Sequence, residues 1–373
     1  MRYQRTMPDQ IGPTSSDFYH RYLEDINNAA SMGMKVFRTS VEWARVEPRP
    51  GVQDPAGWNF YDRVFKAIVD KGMRPMITLD HWVYPGWTFD RGGWTNPQMT
   101  TWWLNNARRV VDRYSKYNPL WITINEPQAY AGFEATLGGM KPTDLPMFFN
   151  KLVTVHRSVY DYIHKVQAHA MVTSNVPYAP AVEPAIDSTF IDRVADKLDF
   201  VGIDYYYSLS AFDYSELNVA RRQQWNASPS PDGLYYALRY YSRKFPKLPL
   251  YIVESGMTTD NLQPRADGVN RADLLRDDVY WLQRAKADGM NVIGYNYWSI
   301  TDNYEWGSYD ARYGLYSVNV KTDPSLTRHP TAAVAAFRSL IDNGGVPADY
   351  RPVYPPATCS LVDPPSSCTQ AVR

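Results

Sequence analysis

The chain has 373 residues, 44% of them hydrophobic and 14% aromatic, with 12 Trp and 29 Tyr. Lys+Arg and Asp+Glu both number 39, a formal net charge of zero, which gives no electrostatic ground for nucleic acid or an anionic membrane as a partner. No apolar run is long enough to span a bilayer. The excess of rings fits carbohydrate, because aromatic faces stack on the C–H faces of sugars, although many of these rings must be core.

In chain order, residues 16–32 read as a helix. Phe18, Tyr22, Ile26 and Ala29 share a face, Ser16 is placed to cap the start and Gly33 to end it. A strand follows at 36–40, then a helix over 58–71 that stops at Gly72. The strand at 76–80 runs into His81-Trp82, and 97–117 is helical. Trp121-Ile122-Thr123-Ile124-Asn125-Glu126-Pro127 is a run of β-branched and aromatic residues that reads as a buried strand. It should stop at Asn125 and Glu126, with Pro127 ending it. Further elements are a helix at 146–168, strands at 171–174 and 198–203, and a helix at 234–245. A strand at 250–254, a helix at 270–287 capped by Asn270, a strand at 292–298 and a helix at 331–341 complete the series.

Strand and helix alternate through seven strands with no linker-like break, which means a parallel sheet. Polar and aromatic residues gather where strands end, and this favours a (β/α)8 TIM barrel over an open doubly wound sheet. The expectation is one α/β barrel catalytic domain over residues 1–345, followed by a Pro-rich tail over 346–373. There is no G-x-G-x-x-G, P-loop, H-E-x-x-H or G-x-S-x-G, so neither a cofactor nor a metal is expected.

Two like strands each deliver a glutamate at the C-terminal end, Glu126 and Glu254. One such carboxylate is more often a cap or a salt-bridge partner. Two of them are what a two-carboxylate glycoside hydrolase needs.

The start, Met1-Arg2-Tyr3-Gln4-Arg5, has charge but no following apolar stretch, so no signal peptide is read there. The only cysteines, Cys359 and Cys368, lie in the tail. They either close a short disulfide loop, which would place the protein in an oxidising compartment outside the cell, or stand as two free thiols. Asn226-Ala227-Ser228 fits a glycosylation sequon of a kind common by chance.

Several stretches carry a resemblance. T-I-N-E-P stands at 123–127, Y-I-V-E-S-G at 251–256 and W-S-I-T-D-N-Y-E-W at 298–306, followed by R-Y-G-L-Y-S-V at 312–318. R-T-S-V-E-W at 38–43, H-W at 81–82, G-G-W at 92–94 and G-I-D-Y-Y at 202–206 support them. In this order, from about Asp17 to Phe337, the chain resembles the β-glucosidases and β-glycosidases of glycoside hydrolase family 1. The resemblance implies a retaining enzyme that acts on terminal β-linked sugars of small glycosides. Glu254 would be its nucleophile and Glu126 its acid/base, the carboxyls roughly 5–5.5 Å apart. It implies that Arg38 and Tyr206 hold Glu254 as the anion, and that Asn125 binds the sugar 2-hydroxyl. His81, Trp82, Glu305 and Trp306 would bind sugar as well, with Trp298 the platform under the ring and Tyr313 near the site. An endo-acting glycanase on a related barrel and a sugar-binding remnant with little turnover stay open.

The chain departs from the family pattern in places. Asp204 and Ser255 stand where asparagines are usual, and the segment between Tyr206 and Leu250 is short. The family's first strand carries a sugar-binding glutamine in a Y-Q-x-E-G context. Here Tyr3-Gln4 imitates it with no apolar strand before and no glycine after. The first strand is therefore read as absent and Gln4 is left out of the site. Seven strands in an eight-strand barrel would leave edges at 36–40 and 292–298, so the chain is expected to be less stable and less active than a complete enzyme.

Overall fold

The protein's structure, a computed structural model, describes residues 15–180, 182–207, 214–215 and 217–356. Met1 to Gly12 with Tyr3 and Gln4, where the first strand was sought, and Cys359 and Cys368 lie outside the described residues.

All seven expected strands form: β1 (Val36–Ser40), β2 (Arg74–Thr78), β3 (Leu120–Asn125), β4 (Met171–Pro177), β5 (Val201–Tyr205), β6 (Leu250–Ser255) and β7 (Val292–Tyr295). Their order in the sheet follows their order in the chain. The main helices are α1 (Phe18–Ser31), α2 (Pro55–Asp70), α3 (Met99–Tyr114), α4 (Pro127–Leu137), α5 (Leu145–Val166), α6 (Gly233–Lys244), α7 (Arg271–Ala287) and α8 (Ala332–Asp342). β3, β5 and β6 are buried along their whole length, which is why they read as unbroken apolar runs rather than alternating ones. β1 and β7, at the two ends of the strand order, are less buried, and Ile293 in β7 is 46% exposed.

The chain divides into two compact units. The first takes in Lys35–Pro177 and Pro184–Gly202, and so holds β1 to β4 and the start of β5. Its strands pair in parallel, with Arg38 opposite Met76, Ile77 opposite Trp121 and Ile122 opposite Thr173. The β3–β4 register shifts between Ile122 and Asn125, so that Asn125 comes to face Asn175. Such an irregularity re-aims the side chains at a strand end. Helix α2 starts three residues before the expected 58, because the Asp54 carboxylate accepts from the Ala56 amide at 2.9 Å and Pro55 fits the first turn. Helix α4 is not signalled by periodicity. Pro127 ends β3 as expected, yet the same residue opens α4.

The second unit takes in Met34 and the described residues before it, Tyr178–Glu183 and the chain from Ile203. Here the expected Ser16 cap is not found. The residue before α1 is Asp17, in a left-handed conformation at φ 57°, and it makes no side-chain cap. Its carboxylate is engaged instead by His20 Nδ1 at 2.7 Å. Gly33 does end α1, at φ +85°, and Asn270 does cap α7 by accepting from the Asp273 amide at 2.9 Å. Met32, Leu315, Ala333 and Val334 share one apolar cluster, and Ala272, Leu275 and Ala336 share another. At the floor of α1, Arg328 grips Asp25 with two bonds of 2.9 and 3.1 Å, both side chains 1% exposed. After α8 the chain docks on α7: the Tyr350 hydroxyl and the Val353 and Tyr354 amides all donate to Asp277 at 2.7–3.0 Å.

Candidate active site

The candidate residues fall into one set in each unit. In the first, β1 presents Arg38. Its Nε donates to Thr78 Oγ1 at 3.0 Å and its Nη2 to Asn125 Oδ1 at 2.6 Å. Asn175 Nδ2 donates to the same oxygen at 2.7 Å. Asn125 is fully buried, and two donors thus fix the orientation of its amide. Its Nδ2 is a buried donor with no partner among the described residues. Leaving such a donor unpaired costs about 1–3 kcal/mol.

Trp82 and His81 follow β2. Asp80 fixes the Trp82 backbone: its Oδ1 accepts from the Trp82 amide at 2.9 Å, and its Oδ2 accepts from Trp103 Nε1 at 2.7 Å. The Trp82 indole donates to the Asn125 carbonyl oxygen at 2.8 Å, and the His81 ring meets Trp82 edge-on with centroids 5.2 Å apart. Glu126 stands one residue past β3, half-buried, at φ 36° and ψ 75°. A left-handed non-glycine residue costs of the order of 1–3 kcal/mol and persists only where its surroundings over-determine it. Here the Glu126 amide donates to the Asn175 carbonyl at 3.1 Å, and its own carbonyl accepts from the Tyr130 amide in α4 at 2.9 Å. Trp82 shows the same backbone departure at φ 66°.

In the second unit, Glu254 lies in β6 and is 5% exposed. The Tyr206 hydroxyl, just past β5, donates to Glu254 Oε2 at 2.8 Å. Tyr313 packs edge-on against the Tyr206 ring at 5.8 Å, and the Tyr313 and Tyr207 hydroxyls are hydrogen-bonded to each other. Trp298, beyond β7, donates from Nε1 to Glu305 Oε1 at 2.9 Å, and Asn303 Nδ2 reaches the same oxygen at 3.4 Å. Burial pushes the Glu305 carboxyl up to about 7. The Trp298 and Asn303 donors oppose that shift, while the neighbouring Glu254 and Asp302 carboxylates add to it. Trp306 is 37% exposed with φ +50°.

Sequence reasoning gathered Arg38, His81, Trp82, Asn125, Glu126, Tyr206, Glu254, Trp298, Glu305 and Trp306, with Tyr313 nearby, into one sugar site; the structure describes the first five in one unit and the others in the second. Four residues that hold these groups were missed. Asp80 is visible as a polar strand-end residue before His81, and Tyr207 as the third of three tyrosines. Asn175 lies one residue past the expected end of its strand at 174. Asn303 is one polar residue among several and carries no distinguishing signal.

The family model for glycosyl hydrolase family 1 matches residues 2–177 and 178–346. Among curated proteins, the chain is 27% identical to a galactolipid galactosyltransferase, SFR2, of Arabidopsis thaliana. That match covers 87% of this chain and 57% of the relative, so the chain spans just over half that protein's length. It is 25% identical to a 1,4-beta-D-glucan glucohydrolase of Thermotoga neapolitana and 24% identical to beta-glucosidase A of Thermotoga maritima, each match covering 85% of both chains. Among solved structures, the Thermotoga maritima beta-glucosidase in complex with deoxynojirimycin superposes with a TM-score of 0.77 at 21% identity, over 92% of both chains. An apo beta-glucosidase superposes at 0.75 and 23%, over 94% of both. The fold is that of the (β/α)8 barrel. Among the described residues no helix is long and apolar enough to cross a membrane.

Proposed function

The chain belongs to glycosyl hydrolase family 1 and is a glycoside hydrolase; on that premise we propose that it is a retaining β-glycosidase for terminal β-linked, glucose-like sugars of small glycosides. Glu254 attacks the anomeric carbon while Glu126 protonates the departing glycosidic oxygen. Water, deprotonated by Glu126, then releases the sugar from Glu254 with its configuration retained. The observation that carries this reading is the pair of glutamates at the C-terminal ends of parallel strands. One stands in a constrained left-handed backbone and the other accepts a tyrosine hydroxyl.

The remaining roles follow the same reading. Tyr206 orients the nucleophile and disperses its charge. Arg38 sets Asn125 and supplies positive charge for Glu254. The unpaired Nδ2 of Asn125 donates to the 2-hydroxyl, a contact that strengthens at the transition state. Glu305 and Trp306 bind outer hydroxyls, Trp298 lies under the ring, and His81 and Trp82 complete the sugar contacts. A carboxylate that accepts two hydroxyls discriminates epimers, because a misplaced hydroxyl leaves it unpaired. The catalytic domain is assigned to residues 1–345, and the end of the family match at 346 supports that boundary.

A second reading is favoured by one relative's name, that of a galactosyltransferase. In it the hydroxyl of another sugar, rather than water, takes the glycosyl group from Glu254.

A 2-deoxy-2-fluoro glycoside with a good leaving group tests the core of the proposal. It should label a single peptide, the one containing residues 251–256, and NMR should show the β-anomer as first product. Label elsewhere, or an inverted anomer, overturns it. Glu126→Ala should slow substrates with poor leaving groups far more than activated aryl ones, and added azide should restore rate. Equal loss on both classes removes Glu126 from the acid role. A panel of nitrophenyl glycosides, with and without an acceptor sugar and beside long polymers, ranks hydrolysis, transfer and endo action.

A further inference from the structure

Behind the end of β6 lies a carboxyl that the proposed mechanism does not use. Asp278 sits in the middle of α7 and is 2% exposed. Tyr295, the last residue of β7, donates its hydroxyl to Asp278 Oδ2 at 3.0 Å, and Ser255, the last residue of β6, reaches the same oxygen with its hydroxyl at 3.4 Å. Ser255 directly follows Glu254, and its carbonyl oxygen accepts from the Trp298 amide at 2.7 Å. The next residue, Gly256, has no room for a side chain, since a Cβ there would lie 2.2 Å from the Trp298 carbonyl oxygen. Two strand ends that carry Glu254 and lead to Trp298 are thus tied together, and both are tied to one acidic side chain.

We propose that Asp278 is a positioning residue: it accepts from Ser255 and Tyr295 and so holds the ends of β6 and β7, and with them the carboxylate of Glu254 and the indole of Trp298, in working register. This rests on the reading of Glu254 as nucleophile. Burial in these surroundings favours the neutral form of the carboxyl. Burial pushes the Asp278 carboxyl up to about 8, and Asp277 on the same helix adds to the shift, while the Tyr295 and Ser255 hydroxyls oppose it. The facing groups are Ser255 from β6, Tyr295 from β7, Tyr297 beyond β7 and Asp277 from α7. Arg271 and Asp302 act on Tyr297. Burial holds the Tyr297 phenol at about 12 and that of Tyr295 well above its ordinary range, so neither phenol ionises near neutrality. Ionised Asp278 would be a buried charge with no ion-pair partner among the described residues, which the protein relieves by moving the strand ends apart or admitting water.

The test measures the rate at which a dinitrophenyl 2-deoxy-2-fluoro glycoside labels Glu254, in a Glu126→Ala background. That leaving group needs no proton, so the ionisation of the acid/base drops out. With Asp278 present, the labelling rate should fall about tenfold between pH 7 and 9, the share of neutral carboxyl lost around a midpoint near 8. With Asp278→Asn it should change by less than about twofold across the same range, because the amide cannot ionise. Ser255→Ala, a milder change that cuts one link, should shrink the fall to below about threefold. A flat profile with Asp278 present, or a full tenfold fall retained in either variant, overturns the positioning role. Label outside residues 251–256 instead overturns the assignment of the nucleophile.

Discussion

The bond from Tyr206 to Glu254 gives the sharpest test of the site's energetics. Tyr206→Phe removes one oxygen atom and leaves the ring, which keeps its edge contact with Tyr313 at 5.8 Å and its tilted contact with Tyr207 at 5.9 Å. What is lost is a 2.8 Å hydrogen bond to a carboxylate that is 5% exposed. Bonds to charged groups contribute about 1.5–3 kcal/mol. Tyr206 is half-buried, so water takes over part of the missing donation, and the lower half of that range applies. The expected loss is about 1.5–2 kcal/mol at the transition state, or roughly ten- to thirtyfold in kcat/KM on an activated aryl glycoside. The same factor should appear in the rate of fluoroglycoside labelling. Melting should move little, because no packing is lost. A variant within about twofold of the parent in both rates, with melting unchanged, would refute the claim that Tyr206 supports the nucleophile.

Three further outcomes are expected. Burial raises the Glu305 carboxyl to about 7 from an ordinary 4.5, so its neutral form is favoured by folding. Its contribution to stability is full below about 4.5 and is lost as pH rises through about 7. Thermal melts from pH 4 to 8 should therefore slope less downward in Glu305→Gln, and a parallel slope in the two proteins counts against the shift. Gly256→Ala places a Cβ 2.2 Å from the Trp298 carbonyl oxygen, and the backbone shift it forces should cost about 1–3 kcal/mol in urea unfolding; an unchanged midpoint would show that the two segments are not packed as described. Asp25→Ala removes the two-bond partner of Arg328, itself 1% exposed, but leaves Glu24 at 3.8 Å and the Leu326 and Ser16 carbonyls, and should cost about 1.5–3 kcal/mol, the scale of bonds to a charged group; a loss below about 0.5 kcal/mol would mean that Glu24 takes over the pairing.

The strands that matter most were legible in the chain. β3 and β6 are continuous apolar runs, each closed by a breaker, Pro127 after Glu126 and Gly256 after Ser255. Both glutamates could be placed at strand ends from the runs alone. Ends were less legible than centres. β4 continues to Pro177, past the expected 174, and thereby brings Asn175 to Asn125. β7 stops at Tyr295 rather than 298, although the Asn296 and Trp298 amides still donate to the Ile252 and Ser255 carbonyls of β6 at 2.9 and 2.7 Å. Helix α4 was hidden because its opening proline reads equally well as a stop.

Composition, breakers and apolar periodicity are local, so the sequence by itself determined the alternation of strand and helix, the parallel sheet and the residue types at the strand ends. The tertiary structure alone decided which of those residues meet and in what state. That Asn125 is held by Arg38 and Asn175 with its own amide nitrogen unspent depends on three different strands. The raised carboxyls of Glu305 and Asp278 depend on burial among groups remote in the chain. Desolvation and Coulomb interactions act through space, over distances that sequence separation does not encode.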